Sequence, residues 1–222
     1  MLFNRKPPVT EKRITMPQVS WDKLEELLAS LGNQRSTRIT YYQSKLEMIE
    51  PQPAHDRIAR LMESLLLVLA DESGDDVANL GSQLLKHQPQ GIAIQPDGCY
   101  YLAQRIRSGT RAELDLTQTP PPDLVVDVQL DQASPKRLGL FAGLGIPEVW
   151  QYVTSLNEVE VLQGELTLLE LKEHQYVPIG HSRMYPELSQ AQVADFIAQS
   201  DTIGLTQSLT VLRDWARSAF DR

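Results

Sequence analysis

The chain has 222 residues, with 21 Lys and Arg against 29 Asp and Glu, and its formal net charge is −8. This length suits one domain with a sizeable hydrophobic core, and a single cysteine, Cys99, excludes an intramolecular disulfide scaffold. The longest apolar run, Leu65 to Ala70, is far shorter than the roughly 20 residues of a membrane-spanning helix. The amino-terminal residues lack the apolar stretch of a secretory signal, so we expect a cytoplasmic protein without a membrane segment.

The charge is unevenly distributed along the chain. Residues 1–60 carry a net charge of +3 and residues 61–222 a net charge of −11. The acidic total argues against a protein that coats nucleic acid through its overall field. Any contact with nucleic acid is therefore expected to use local cations, in residues 1–60, in residues 105–111 and at Lys136 and Arg137.

The amino-terminal part predicts an arm, a helix and a hairpin. Residues 1–16 are polar and aperiodic, which indicates a flexible arm, and residues 17–222 are expected to form a single domain. Ser20 is a suitable cap for a helix that ends at Gly32. Beyond it, β-forming residues on both sides of Gln43-Ser44 predict a hairpin over residues 37–42 and 45–50.

The next segment is the strongest predicted helix. Its apolar residues recur at helical spacing up to a stop near Gly74: Ile58, Leu61, Met62, Leu65, Leu66 and Leu69. One face of this helix is therefore expected to lie in the core.

Short strands and helices alternate in the remainder. Short strands are expected over residues 77–103, a strand covered on both faces over residues 123–129, and a helix starting at Ser134-Pro135. Further strands are predicted over residues 149–153 and 157–171, the latter from Val159, Val161, Leu166 and Leu168, followed by helices after Ser189. This order predicts an α/β (α+β) domain around a mixed β-sheet flanked by helices.

Two aspartates stand where structure alone does not require a carboxylate. Asp97 lies in the turn Pro96-Asp97-Gly98, and Asp127 interrupts an otherwise apolar strand. A carboxylate in a buried strand needs a metal, a base or a strong hydrogen-bond partner, and two carboxylates on neighbouring strands could hold Mg²⁺. The alternative is that Asp127 is hydrated at a strand end and that Asp97 makes an ordinary Asx-type turn.

A basic pair follows the second aspartate. Lys136 and Arg137 fall in the first turn of the helix capped by Ser134, where the helix dipole disfavours positive charge. A nearby carboxylate pair or a bound phosphate would compensate for this cost. Two solvated surface cations are the alternative.

Several ordered segments of the sequence resemble the Uma-two-type restriction endonucleases, a family abundant in cyanobacteria and part of the PD-(D/E)XK nuclease superfamily. The resemblance covers about residues 35–200. It rests on Thr40–Pro51, His55, Gln95–Leu102, Pro120–Asp127 and Leu144–Tyr152. It implies a restriction endonuclease-like fold, with a mixed sheet flanked by helices, and Mg²⁺- or Mn²⁺-dependent hydrolysis of DNA.

The resemblance also implies roles for individual residues. Asp97 and Asp127 match the two metal-binding acids, and the backbone carbonyl of Val128 matches a third metal ligand. Gln129 stands at the usual lysine position, so the cationic role is expected to fall to Lys136 or Arg137. His55, at the start of the long helix, matches a frequent histidine of the family, and the resemblance implies that His55 and Gln129 orient water or the scissile phosphate.

The sequence departs from the family pattern at several positions. Asp127 replaces the usual glutamate, whereas Gln95, Gly98 and Gln43 stand where relatives carry acidic residues. These departures keep open a catalytically degenerate binding or regulatory module with the same fold. A homodimer is a further possibility, with an apolar carboxy-terminal face formed by Leu205, Leu209, Leu212 and Trp215, although the same spacing fits ordinary core packing better.

Overall fold

The structure, a computed structural model, describes residues 12–32, 37–102, 113–130, 134–154 and 164–221. The predicted cations at Arg105, Arg107 and Arg111 and the predicted strand residues Val159 and Val161 lie outside these ranges. None of the helices in the described ranges is long and apolar enough to cross a membrane.

The described residues form five α-helices, one short 3₁₀ helix (Gln88–Gln90) and twelve strands. The helices are α1 (Trp21–Leu31), α2 (Pro53–Ser73), α3 (Pro135–Gly143), α4 (Gln190–Thr202) and α5 (Leu205–Phe220). The strands are β1 (Arg13–Met16), β2 (Arg38–Tyr42), β3 (Lys45–Ile49), β4 (Val77–Gly81), β5 (Leu84–His87), β6 (Ile92–Ile94), β7 (Gly98–Leu102), β8 (Glu113–Asp115), β9 (Leu124–Leu130), β10 (Glu148–Thr154), β11 (Gly164–Lys172) and β12 (Gln175–Ile179).

The strands belong to two mixed six-stranded sheets. The amino-terminal sheet has the order β1-β3-β2-β6-β5-β8, and the second sheet has the order β12-β11-β10-β9-β7-β4. The only parallel pairs among the described strands are β5 with β8 and β9 with β10. The predicted α/β class is thus confirmed, with two mixed sheets where the sequence indicated one.

The amino-terminal sheet is built on the predicted hairpin. Gln43 and Ser44 connect β2 to β3 with φ angles of 49° and 57°, the left-handed conformation that a two-residue hairpin turn requires. Residues Arg13–Met16, which we expected to belong to a flexible arm, instead form β1 along the outer edge of β3. Their order comes from backbone pairing with β3, which leaves no signal in a polar, aperiodic sequence.

Strand β9 lies inside the second sheet and is covered on both faces, as predicted. Val126 and Val128 pack into a core cluster with α2, α4 and α5, whereas Val125 packs on the other face with Phe141 of α3. Side chains alternate along a strand, so Asp127 shares the α3 face with Val125. The fold therefore places this carboxylate between the sheet and α3.

Helix α2 crosses the opposite face of the sheet, and its predicted apolar residues are all buried. The carboxy-terminal helices pack beside it. Leu212 is buried, and Leu209 and Trp215 contact the same core, whereas Leu205 remains 42% exposed. Most of the predicted dimer face is therefore core, and the homodimer stays a prediction.

A buried glutamate joins β10 to the loop that follows β12. Both carboxylate oxygens of Glu148 accept hydrogen bonds, from Trp150 Nε1 at 2.7 Å and from the backbone N–H of Met184 at 2.8 Å. Burial raises the pKa of Glu148. The acid within the motif Leu144–Tyr152 thus has a structural role, because it satisfies two buried donors.

Replacing Glu148 by alanine should destabilise the fold. The Glu148→Ala variant leaves two buried N–H donors without their acceptor, at about 1–3 kcal/mol for each, so we expect the free energy of unfolding to fall by about 2–6 kcal/mol. Urea denaturation followed by tryptophan fluorescence measures this loss.

Glu170 supplies the matched control. It lies directly across from Glu148 on β11 but forms surface ion pairs with Lys172 and Arg183. Glu170→Ala should change the free energy of unfolding by less than about 1 kcal/mol. Equal losses in the two variants would contradict the structural role of Glu148.

Candidate functional site

Asp97 lies against the edge of β9, at the point where β7 begins. Its backbone N–H donates to the Val126 carbonyl at 2.8 Å, and its Oδ2 accepts the backbone N–H of Val128 at 2.7 Å. The residue thus contacts the chain on both sides of Asp127. The structure therefore places Asp97 next to Asp127, the other aspartate that the sequence analysis identified as a candidate.

The carboxylate of Asp97 is paired with Arg38 of β2. Its Oδ1 lies 2.7 Å from Arg38 Nη1, and the two side chains are only 1% and 11% exposed. Burial raises the pKa of Asp97, and the charge of Arg38 opposes this shift. Arg38 also lies 3.5 Å from Asp56 at the start of α2.

Asp127 is completely buried and is held by Arg137 of α3. Its Oδ1 accepts from Arg137 Nε at 2.9 Å and from Nη2 at 2.7 Å, while its Oδ2 accepts from Gln129 Nε2. Ser134 caps the helix by accepting from the backbone N–H of Arg137. The nearby carboxylate that we expected to compensate for a cation in this first turn is therefore Asp127.

The remaining contacts of Arg137 join α3 to the amino-terminal sheet. Its Nη1 donates to Thr40 Oγ1 and its Nη2 to the Gln95 carbonyl, both at 2.9 Å. Its guanidinium group lies 5.6 Å from the centre of the Phe141 ring. Burial by itself lowers the pKa of Arg137, but the nearby aspartates together outweigh this effect and raise the pKa above an already high value, so the group stays charged.

Strand β2 supplies the residues that sequence reasoning missed. Arg38 and Thr40 lie on one face of β2, toward the aspartates, whereas Ile39 and Tyr41 lie on the other face and pack against α1. Glu47 lies directly across from Thr40 on β3, and its charge acts on Arg137. The alternation Arg-Ile-Thr-Tyr in the printed sequence is the signal that could have marked this face.

Of the other predicted site residues, Gln129 and His55 are buried, whereas Lys136 is exposed. Gln129 is buried and bonds Asp127, and His55 is buried at the start of α2, where its Nδ1 accepts the backbone N–H of Gln52 at 3.0 Å. Lys136 is exposed, so of the two candidate cations Arg137 is the one that contacts an aspartate.

The departures from the family pattern have local explanations. Gln95 bonds Ser82 through its amide, and Gln43 lies in the exposed hairpin turn. At Gly98 an added Cβ would lie 2.8 Å from the ring of Tyr100, so the close approach of this ring requires glycine. None of these three positions needs an acid in this chain.

The ligand types around the aspartates suit a hard divalent cation. Within the described residues, the buried oxygen Gln95 Oε1 receives no hydrogen bond, and Asp97 Oδ1 has only its ion pair with Arg38. Because residues two apart on a strand present their backbone groups to the same edge, the Val128 carbonyl faces the edge where Asp97 lies. Carboxylate and carbonyl oxygens are the ligands that Mg²⁺ prefers, and the donor chemistry therefore fits.

The charges of the site nevertheless balance without a metal. Two aspartates face two arginines, so these four side chains sum to zero. The described part of the chain contains no group of three or more His, Cys, Asp and Glu side chains that could hold a metal ion. A cation at Asp97 and Asp127 must therefore compete with Arg38 and Arg137.

Comparison with known proteins assigns the family. A sequence profile described as "Uma2: Putative restriction endonuclease" matches residues 21–195. The chain belongs to the Uma2 family. No curated protein matches this Uma2 chain.

The fold also matches a solved structure. The Uma2 chain is similar to the crystal structure of "a putative nuclease belonging to DUF820" from Anabaena variabilis ATCC 29413, with a TM-score of 0.52 and 13% sequence identity. The match covers 81% of this chain and 99% of the other. At this identity the similarity shows the shared fold.

Loss of the buried arginine should be costly. In Arg137→Gln, Asp127 remains buried without its cation, and we expect the free energy of unfolding to fall by about 3–5 kcal/mol. The double variant Asp127→Asn/Arg137→Gln removes both charges and should recover part of this loss. Urea denaturation of all four members of the cycle measures the coupling, and strictly additive losses would contradict a direct ion pair.

The stability contribution of Asp97 should depend on pH with a defined sign. Its folded-state pKa lies above the ordinary value of 3.8, so the folded state binds this proton more tightly than the unfolded state. The stabilisation that Asp97 contributes is therefore fully present below pH 3.8, and it is lost as the pH rises through the folded-state pKa. The Asp97→Asn variant cannot titrate, and it should therefore gain stability relative to the wild type as pH rises.

Asp115 is a control of opposite sign. It is exposed, and hydrogen bonds from Thr117 lower its pKa. Asp115→Asn should lose stability relative to the wild type as pH rises from the acid range. Denaturation series at several pH values compare both variants, and the same sign for both would contradict the raised pKa of Asp97.

Proposed function

We propose that this chain is a divalent-cation-dependent endonuclease that hydrolyses DNA phosphodiester bonds at Asp97 and Asp127. The observation that carries the proposal is that two buried aspartates lie at neighbouring positions of β9, Asp127 within the strand and Asp97 against its edge, each paired with an arginine. Family membership and the shared fold support it. Both carboxylates are buried, and a buried carboxylate requires compensation for its lost hydration.

In the proposed site, Asp97, Asp127 and the Val128 carbonyl would hold Mg²⁺ or Mn²⁺. When bound, such a cation lowers the pKa of a bound water and stabilises negative charge on a phosphate. Gln129 fixes the orientation of Asp127 through its amide. The backbone N–H of Val128 does the same for Asp97.

Arg137 and His55 have different roles in this proposal. Arg137 keeps its proton near neutral pH and cannot act as a base, so its role is to donate hydrogen bonds to the phosphate. In neutral His55 the proton lies on Nε2, because Nδ1 accepts from Gln52. His55 is therefore suited to donate a hydrogen bond rather than to remove a proton.

A second candidate function is a catalytically degenerate binding or regulatory module. The specific observation in its favour is that both aspartates are neutralised internally by arginines. In addition, Gln129 occupies the position where the resemblance implies a lysine. Such a module would retain the fold and bind nucleic acid or a protein partner without hydrolysis.

A nicking assay tests the proposed activity. The wild type should nick supercoiled plasmid DNA in Mg²⁺ or Mn²⁺ and lose this activity in EDTA. Asp97→Asn should lower the rate by at least about 100-fold, since even outer partners of metal ligands cost about 10- to 100-fold. Asp115→Asn removes a surface carboxylate of the same type and should retain the wild-type rate.

The same experiment separates the two candidate functions. Metal-dependent nicking that disappears in Asp97→Asn supports the endonuclease. If the purified wild type does not nick DNA in either cation, or if Asp97→Asn nicks as fast as the wild type, the catalytic assignment is rejected.

A further inference from the structure

The four buried charges of the site constrain what can bind there. Asp97, Asp127, Arg38 and Arg137 sum to zero in the free protein. A divalent cation alone would add two uncompensated positive charges at a nearly closed position, and a phosphate alone would add negative charge. Burial of either excess is strongly unfavourable, whereas a phosphodiester, which carries one negative charge, cuts the excess charge of a bound divalent cation by half.

The arginine side chains have the geometry to exchange one anion for another. Arg137 holds Asp127 through Nε and Nη2, and this edge of a guanidinium group binds phosphate as well as carboxylate. Arg38 approaches Asp97 through Nη1, and its Nε has no hydrogen-bond partner among the described residues. Both arginines can therefore donate to a phosphate that replaces a carboxylate.

Other contacts keep both arginines in the site during such an exchange. Arg137 retains its bonds to Thr40 Oγ1 and the Gln95 carbonyl after losing Asp127. Arg38 retains Ser82 Oγ at 3.3 Å and Asp56 at 3.5 Å after losing Asp97. Each arginine thus keeps two contacts that do not involve Asp97 or Asp127.

A buried amide points to the same ligand. Gln151 lies directly across from Asp127 in the pairing of β10 with β9, and the two side chains share one face of the sheet. Gln151 is 5% exposed, and its Nε2 finds no acceptor in the described ranges. An unpaired amide donor beside an arginine and an aspartate matches an incoming oxygen anion.

We propose that Arg38 and Arg137 are phosphate-binding residues that the free protein pairs with Asp97 and Asp127, so that a divalent cation and a nucleic-acid phosphate bind cooperatively. This inference rests on the proposed function, because it uses the same metal site. A bound phosphate accepts hydrogen bonds from the arginines in place of the aspartates, and the carboxylates of the aspartates are then available to bind the cation. Permanent structural ion pairs would produce no such coupling.

Fluorescence anisotropy with a short labelled DNA duplex tests the coupling. Phosphorothioate linkages keep the duplex intact, and a denaturing gel verifies this. At constant ionic strength, Mg²⁺ should tighten DNA binding by about 5- to 150-fold relative to EDTA, the usual range for coupled sites. An unchanged or weaker affinity, which is the effect expected of Mg²⁺ as a competing counterion, overturns the proposal.

Calorimetric titration gives the reciprocal measurement. Mg²⁺ is titrated into the full chain alone and into the chain saturated with the same duplex, and the heat of a duplex-only titration is subtracted. Linkage requires that DNA tighten Mg²⁺ binding by the factor by which Mg²⁺ tightens DNA binding. Equal Mg²⁺ affinities with and without DNA overturn the proposal.

Variants assign the coupling to the arginines. In Arg137→Gln, Asp127 has lost its internal cation, so Mg²⁺ alone should bind more tightly than to the wild type and DNA should improve this affinity less. Arg38→Gln should act in the same way through Asp97, which keeps the proposal testable if Arg137→Gln does not fold. Wild-type coupling in both variants overturns the proposal.

Arg213→Gln is the matched control. Arg213 pairs with Asp71 and Glu72 at the far end of α2. Its replacement removes one positive charge from the chain but none from the site, and the coupling should equal that of the wild type. A loss of coupling in this variant would assign the effect to net charge and overturn the proposal.

Failure of this proposal and failure of the proposed activity have different signatures. Metal-dependent nicking without coupling leaves the endonuclease standing and overturns the role of the arginines. Coupling without nicking supports the role of the arginines and rejects hydrolysis, in favour of the binding module.

Discussion

The ion pair between Asp127 and Arg137 is the interaction on which the candidate site depends. A carboxylate in the middle of a strand covered on both faces is strongly unfavourable unless a cation and hydrogen bonds compensate for it. Arg137 supplies both, and its remaining donors reach Thr40 and the Gln95 carbonyl. In the free protein one side chain therefore links α3, β9 and the amino-terminal sheet.

The ion pairs and hydrogen bonds of the site also link the two sheets. On β2, the face with Ile39 and Tyr41 packs against α1, and the opposite face brings Arg38 and Thr40 to the aspartates of the second sheet. Asp97 stands between the sheets, because it follows β6 of the first and precedes β7 of the second. An apolar cluster that includes Ile94 of the first sheet and Val125 of the second packs the two sheets together, and Asp127 lies on the same face of β9 as Val125.

Most helices and strands could be predicted from the sequence because their signals are local. The cap at Ser20, the hairpin turn at Gln43-Ser44 and the apolar spacing of α2 depend on residues close together in the chain. Strand β1 could not be predicted, since its order comes from pairing with β3, whose paired residues lie 30 to 36 positions away in the sequence. The site residues Arg38 and Thr40 were missed for the same reason, because their partners Asp97 and Arg137 are distant in sequence.

The sequence by itself determined the fold class, the positions of Asp97 and Asp127, and the presence of cations shortly after the second aspartate. The spacing of apolar residues, and a polar residue within an apolar run, can be recognised in the sequence without knowledge of which residues they contact. Only the tertiary structure decided that Arg137 and not Lys136 contacts Asp127, and that Arg38 pairs with Asp97. The physical reason is that neighbouring residues on a helix point in different directions, so the compensation of a buried charge depends on how α3 and β2 pack.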